Sequence, residues 1–462
     1  MIVDPKVDKK QTINKMIELD RKHFLHPTTN PKTHVEQGPK VIFSEGKGIY
    51  VTDVHGDTYI DGVSMLWNVN VGHGQQELAE AAKEQMTKLA FNSNFISYSN
   101  EPAIRLAEKL ASLSPGNLNS VFYTSGGSES NDTAIKLSRF YWQLKGKSSK
   151  RKIITINNGY HGVTIASQTA TAIPNFHHFS SSNISEIFHA KSFLTNCEKG
   201  DKSDPNYSGC VRDIIEKEGA DTIAAILIEP IQGSGGVNIP PSDYLQAIRN
   251  LCDEFGILFI ADEVICGFSR TGKMFGMENW DVVPDLMCFA KGVTSGYSQL
   301  GGVLLTDEVR NVIVQYEGLL SHGFTYSGHA AACAVGLKNI ELIERDNLAG
   351  NAKNMEGVLL KGFSYLMDKH KIATKARAKG LLSAIEFYED PGDQKKFDIS
   401  VQAAAKIGEE CFKRKLLIRP IRAAEGENII AVAPPLIIKR PEVEKIIAIM
   451  DDAITAFTKT LP

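Results

Sequence analysis

Apolar and polar positions follow two different rhythms along this chain. After a helical pattern at the N-terminus, the short runs VIFSEG, GIYVTD and DTYIDGV predict an antiparallel meander ending near Val63. Helical spacing then predicts helices over 75–90 and 101–113. From Ser120 the pattern becomes strand-then-helix. SVFYT leads to a helix from about Ser128, RKIITIN to a turn at 157–162, and TIAAILIE to a helix near 242–255, after which come ILFIAD, LMCFAK and GGVLLT. Near-continuous Val, Ile and Leu runs alternating with helices imply an α/β fold whose mostly parallel sheet is covered on both faces. After Gly328 helical patterns dominate, interrupted by LLSAIEF, LLIRP and NIIAVAP. That part is expected to join the N-terminal meander in a smaller α+β domain. The chain is thus expected to divide into 1–68, contributing to the small domain, 69–327, the large domain, and 328–462, the rest of the small one. Residues 172–204, rich in Ser, Asn, His and Phe, read as a long loop.

Composition narrows the function by exclusion. A chain of 462 residues needs more than one core, and 42% hydrophobic with 23% charged residues is ordinary for a soluble protein. A net charge of -3 makes no electrostatic case for nucleic acid or an anionic membrane. The polar N-terminus lacks the apolar core of a signal peptide, and no apolar run reaches the roughly 18–20 residues of a membrane span. The cysteines at 197, 210, 252, 266, 288, 333 and 411 form no CxxC pair, and their odd count argues for a reducing, cytoplasmic setting.

Chemistry gathers beyond the strand ends, where open α/β sheets bind ligands. TSGGSESND, 124–132, can present converging backbone N–H groups and a helix N-terminus to an anion, although a plain capping role is the commoner use of such residues. The Walker alternative fails, since GKS at 146–148 has Tyr141 where the leading glycine belongs. ILFIADEV ends a buried strand in Asp262 and Glu263, at least one of which must meet a cation or donors. A catalytic pair, a metal site and a strand-end cap stay open. Metal is the least favoured, with no HExxH or Cys/His cluster nearby, and no metal site is expected in the chain. NNGYHG adds an aromatic and a histidine. Lys291 follows the apolar run Leu286–Phe289 and Ala290, an unusual place for a lysine. A phosphate cradle, a carboxylate, an aromatic and a desolvated lysine are together the parts that hold pyridoxal phosphate, because burial lowers the lysine pKa and favours a nucleophilic amine.

ADEVICGFSRTGKMFG followed by PDLMCFAKGVTSGY resembles the signature of class III (ω-type) pyridoxal-phosphate aminotransferases, with Asp262 and Lys291 29 positions apart as in that family. HFLHPTT, LWNVNVGHG, FYTSGGSESNDTAIKLSR, NGYHG, IEPIQGSGG, HGFTYSGHAAACA and VAPPLII have counterparts in the same order, so the resemblance covers nearly the whole chain. It implies fold type I of the pyridoxal-phosphate transferases, with the cofactor on the large domain. By this resemblance Lys291 carries the cofactor and Asp262 pairs with the pyridinium. Gly127 and Ser128 bind the phosphate, Tyr160 lies against the ring, and Val264 packs beneath it. Thr325 reaches the phosphate in the neighbouring subunit, which implies a homodimer, or a tetramer of such pairs, with shared active sites. Trp67, Phe95 and Tyr160 line the substrate pocket. Arg419 binds the oxo-acid carboxylate, Arg422 being the alternative.

Ile265 and Cys266 stand where many 2-oxoglutarate-using members carry a glutamine first, and DEVICGF with LWNVNVGHG is most similar to the ω-amino acid–pyruvate and amine–pyruvate branch. GGSES replaces the commoner SGSEA, Ser269 replaces a glycine, and Thr28 stands where some amine-using relatives have a bulky aromatic. The expected activity is amino transfer from an amine or ω-amino acid to pyruvate. A 2-oxoglutarate-dependent transaminase, an aminomutase or phospho-lyase, and a catalytically silent cofactor-binding protein are the alternatives.

Overall fold

The computed structural model describes residues 9–179, 183–194, 209–421 and 428–461. Two helices, Lys9–His23 and Pro31–Gln37, precede an antiparallel meander of β1 (Phe43–Lys47), β2 (Tyr50–Asp53) and β3 (Thr58–Asp61). The helices Gln76–Leu89 and Glu101–Leu113 follow, at the positions their spacing predicts.

Seven strands then build the central sheet: β4 (Ser120–Thr124), β5 (Lys152–Ile156), β6 (Ile187–Ala190), β7 (Ile223–Ile228), β8 (Leu258–Asp262), β9 (Leu286–Phe289) and β10 (Gly301–Leu305). Their order is β4-β10-β9-β8-β7-β5-β6. Every residue of β7, β8 and β9 is buried, which is why these strands show no polar alternation. Each fully buried Ile, Leu or Phe contributes about 1.5–3 kcal/mol. The sheet is parallel from β9 to β6, while β10 runs antiparallel to both its neighbours. The link from β9 to β10 contains no α-helix, so it cannot make the crossover that a parallel return requires. Gly302 matters here, because a Cβ would stand 2.5 Å from the Phe289 ring and 2.7 Å from the Phe122 carbonyl.

One sequence expectation needs correction. The stretch 172–204 is not all loop, since Ile187–Ala190 forms edge strand β6 in parallel register with β5. Four residues between polar neighbours leave little periodic signal. The parts of that stretch at 180–182 and 195–204 lie outside the described residues.

Beyond Gly328 come β11 (Ala373–Lys379), β12 (Leu382–Asp390), β13 (Lys395–Lys396), β14 (Leu416–Leu417), β15 (Arg419–Ile421) and β16 (Ile429–Val432), set among long helices. β14 pairs in parallel with β3, placing the two ends of the chain in one sheet. Buried Arg270 ties these parts to the large sheet. Its guanidinium donates to the carbonyls of Leu381 (3.1 Å) and Pro434 (2.6 Å), to Ser64 Oγ (2.9 Å) and to Asn70 Oδ1 (2.8 Å). Among the described residues no helix is long and apolar enough to cross a membrane.

Candidate active site

Asp262 ends β8, and burial there would be costly without donors. Its Oδ2 accepts from Asn131 Nδ2 at 2.7 Å and from His161 Nδ1 at 2.9 Å, while Oδ1 accepts from the Val264 N–H at 3.1 Å. Asn131 lies on the helix Gly127–Leu144 after β4, and His161 lies in the turn after β5, so three strand ends meet at one carboxylate. Glu263 does a different job. Its carboxylate accepts the Gly276 and Met277 N–H groups (2.8 and 2.7 Å), closing the turn Gly276–Asn279, and burial pushes it up to about 8.

Glu229, just after β7, accepts from the Tyr160 N–H at 2.8 Å and the Gly233 N–H at 2.9 Å, and burial pushes it up to about 7. The Tyr160 ring packs edge-on against Phe176 with centroids 5.0 Å apart. Burial raises its phenol above the usual range, and Arg419 opposes that rise.

The helix starting at Gly127 has no side-chain cap, so its first N–H groups are free of that competition. A Cβ on Gly126 would meet nothing within 4 Å, which leaves open space over this helix end, whereas one on Gly127 would come 2.9 Å from Val264 Cγ1. Ser128 Oγ accepts from the Val163 N–H at 3.1 Å, joining the helix start to the NGYHG turn.

Lys291 opens a single 3-10 turn directly after β9 and Ala290. Its φ of +45° is left-handed, which costs a non-glycine residue about 1–2 kcal/mol. Asn339 Nδ2 holds the turn by donating to the carbonyls of Gly292 (2.8 Å) and Val293 (2.9 Å). Burial lowers the Lys291 amine below the usual lysine range. Asp262 and Glu229 pull the other way, and Arg419 adds to the lowering.

Arg419, in β15, lays its guanidinium 4.7 Å from the centre of the Trp67 ring, and burial lowers its pKa. Trp67 is itself buried at a φ of +55°, with an indole N–H that has no partner among the described residues. The structure therefore brings Lys291, Asp262, Val264, Gly127, Ser128, Tyr160, Trp67 and Arg419 around one place. Phe95 and Thr325 are elsewhere on the chain, both exposed, where Asn94 Nδ2 donates to the carbonyls of Ser327 (2.8 Å) and Gly328 (3.1 Å). Arg422 lies outside the described residues.

Residues 32–454 match the model of the aminotransferase class-III family. The chain belongs to this family. It is a pyridoxal-phosphate-dependent transaminase of fold type I. This aminotransferase is 37% identical over 437 residues to a putrescine–pyruvate aminotransferase of Pseudomonas aeruginosa, spanning 93% of this chain and 94% of that one. It is 34% identical over 457 residues to a diaminobutyrate–2-oxoglutarate transaminase of Halomonas elongata, spanning 96% and 97%. A transaminase structure from the marine bacterium Virgibacillus superposes with a TM-score of 0.93 at 48% identity, covering 97% of this chain and all of that one. These neighbours support the ω-type branch.

The residues present fit pyridoxal phosphate. An uncapped helix end with open space above it suits a phosphate, a donor-held carboxylate suits a ring cation, and the Lys291 amine is desolvated. Sequence reasoning left three residues of this aminotransferase's site without a role: Asn131, His161 and Glu229. Each stands in a quoted motif (SESND, NGYHG, IEPIQ), so the signal was position beyond a strand, but their partners lie far away in the sequence.

Proposed function

We propose that this aminotransferase moves an amino group from an amine or ω-amino acid to pyruvate, by a ping-pong exchange through pyridoxal phosphate. One observation carries the acceptor's chemistry. The Arg419 guanidinium is partly desolvated over Trp67 and forms no ion pair with any described carboxylate. An arginine so placed suits the carboxylate of a small oxo acid, which it can bind with two parallel hydrogen bonds. Ile265, standing where many 2-oxoglutarate-using members carry a glutamine, supports pyruvate over the longer dicarboxylate, and so does the putrescine–pyruvate relative.

When bound, pyridoxal phosphate supplies an electron sink for the bond breaking at the substrate carbon. The chain's residues do the rest. The N–H groups at Gly127 and Ser128 would hold the phosphate, completed by Thr325 of the partner subunit. Tyr160 and Val264 would pack against the ring. Asp262, fixed by Asn131 and His161, would hold its charge against the ring nitrogen. Lys291 Nζ would hold the cofactor covalently and, once freed, would take up and return the proton that moves at the substrate carbon. A lowered pKa leaves that amine more often neutral and able to take a proton. Trp67 and Tyr160 would shape the donor pocket, with Phe95 of the partner subunit completing it. The same reading gives residues 1–68 and 328–462 to one small domain, in keeping with the β3–β14 pairing, and 69–327 to the large one. It also places the enzyme in the cytoplasm, in keeping with the free cysteines among the described residues.

The test is a panel of amines and ω-amino acids offered with pyruvate or 2-oxoglutarate. Turnover with pyruvate well above that with 2-oxoglutarate is expected. The opposite preference would overturn the acceptor, and no amino transfer to either would overturn the reaction.

A further inference from the structure

Outside the group around Lys291, three side chains converge in the N-terminal arm. Asp20 comes from the helix Lys9–His23, His26 from the link after it, and His34 from the helix Pro31–Gln37. Asp20 Oδ2 and His26 Nε2 are hydrogen-bonded at 2.9 Å, and Asp20 Oδ1 is 2.9 Å from His34 Nε2. The three ligand atoms all lie within 4.8 Å of one another, and the two imidazole rings are 4.4 Å apart at 42°.

His34 is only 7% exposed, yet its Nε2 and the facing Asp20 Oδ1 are both buried without a hydrogen bond. Their separation suits such a bond but their directions do not. Two ligands on one ion, each at about 2.0–2.2 Å, stand about 3 Å apart with both lone pairs aimed at the ion and neither at the other. That accounts for the distance and the misdirection together.

We propose that Asp20, His26 and His34 form a binding site for a divalent first-row transition ion, with zinc as the best fit. Two imidazoles and one carboxylate are borderline donors that suit zinc, whereas calcium and magnesium require oxygen ligands. Water completes the tetrahedron. The sequence led to the opposite expectation, that no metal site is present, because these three positions match no familiar metal-binding spacing. With ligands from both helices and the link between them, the ion staples the arm, which Arg21 Nε already closes by donating to the Val35 carbonyl at 2.6 Å.

The test uses the tag-free holoenzyme and its variants His34→Gln and Asp20→Asn. Zinc uptake is counted by equilibrium dialysis with metal analysis, and amide exchange is followed with and without zinc. The wild type is expected to take up one zinc per chain that both variants lose, and zinc should slow exchange in residues 9–37 of the wild type alone. His34→Gln should keep the zinc-free transaminase activity. Should it fail to fold, His26→Gln supplies the comparison, since that ring is more exposed. Equal zinc uptake by wild type and variants, or no uptake by the wild type, overturns the site.

Discussion

At Lys291 the backbone conformation and the burial of the amine are both unfavourable. A left-handed φ turns the chain sharply at the end of β9, and the amine is buried where its charge is disfavoured. Neither helps folding, and both suit an amine held for chemistry. Asp262 is the counterpart, a carboxylate whose donors fix its direction. Asp262→Asn keeps the size and can still accept from His161 or Val264, so the fold should survive. The rate should drop by roughly two to three orders of magnitude, the scale of a lost electrostatic stabiliser. Steady-state kinetics on the cofactor-loaded variant checks this, and near-normal turnover would assign the ring nitrogen to another group. Ser269 is strained without such a use. It stands where the family's commoner residue is glycine, at a φ of +74°, and its buried hydroxyl has no partner among the described residues. Ser269→Gly removes the Cβ strain and the stranded hydroxyl, and loses some unfolded-chain restriction in return. A net stabilisation of about 1 kcal/mol is expected in denaturant unfolding, with activity unchanged.

At the scale of elements, legibility followed burial and length. β7, β8 and β9, apolar throughout, and the helices Gln76–Leu89 and Glu101–Leu113 stand where their patterns put them. β6 and β11 went unread, the first because it is four residues long and the second because ATKARAK is polar at the edge of its sheet. A strand's apolar run also says nothing of its direction, which for β10 is decided by the missing crossover. The site shows the same division. Gly127, Asp262 and Lys291 announce themselves beside strands, but what Glu229 and Asn131 do depends on partners 69 and 131 residues away. β15 carries a prediction of its own. It is three residues long and pairs Arg419 with Ala431 of β16, which fixes the root of the arginine in a sheet while its head rests on Trp67. Arg419→Ala should raise the KM for pyruvate strongly and leave the half-reaction with a carboxylate-free amine much less affected. Equal losses in both half-reactions, or the selective loss appearing in Arg422→Ala instead, would overturn the assignment.

For the whole molecule the question is what covers the surface that holds Phe95 and Thr325. Phe91, Phe95, Ile96 and Tyr326 are all exposed there, Ile96 at 82%, and the rings of Phe91 and Tyr326 stand 5.9 Å apart. Apolar surface gathered this way suits a contact with another molecule. The segment holding Thr325 is anchored from beneath, by Ser327 Oγ donating to the Tyr123 carbonyl of β4 and by the Asn94 bonds, so it is presented outward in a fixed shape. A second copy of this chain, related by a two-fold axis, would cover that surface on both subunits at once. Each Thr325 would then reach the other's phosphate site, and the uncapped helix end at Gly127 would gain a second hydroxyl beside that of Ser128. Sedimentation of the active enzyme should therefore show a dimer or a larger even assembly. Thr325→Ala should stay assembled yet lose cofactor faster on dialysis, in a way that added pyridoxal phosphate restores. A fully active monomer would rule out the shared site, and unchanged cofactor retention in Thr325→Ala would remove this residue from it.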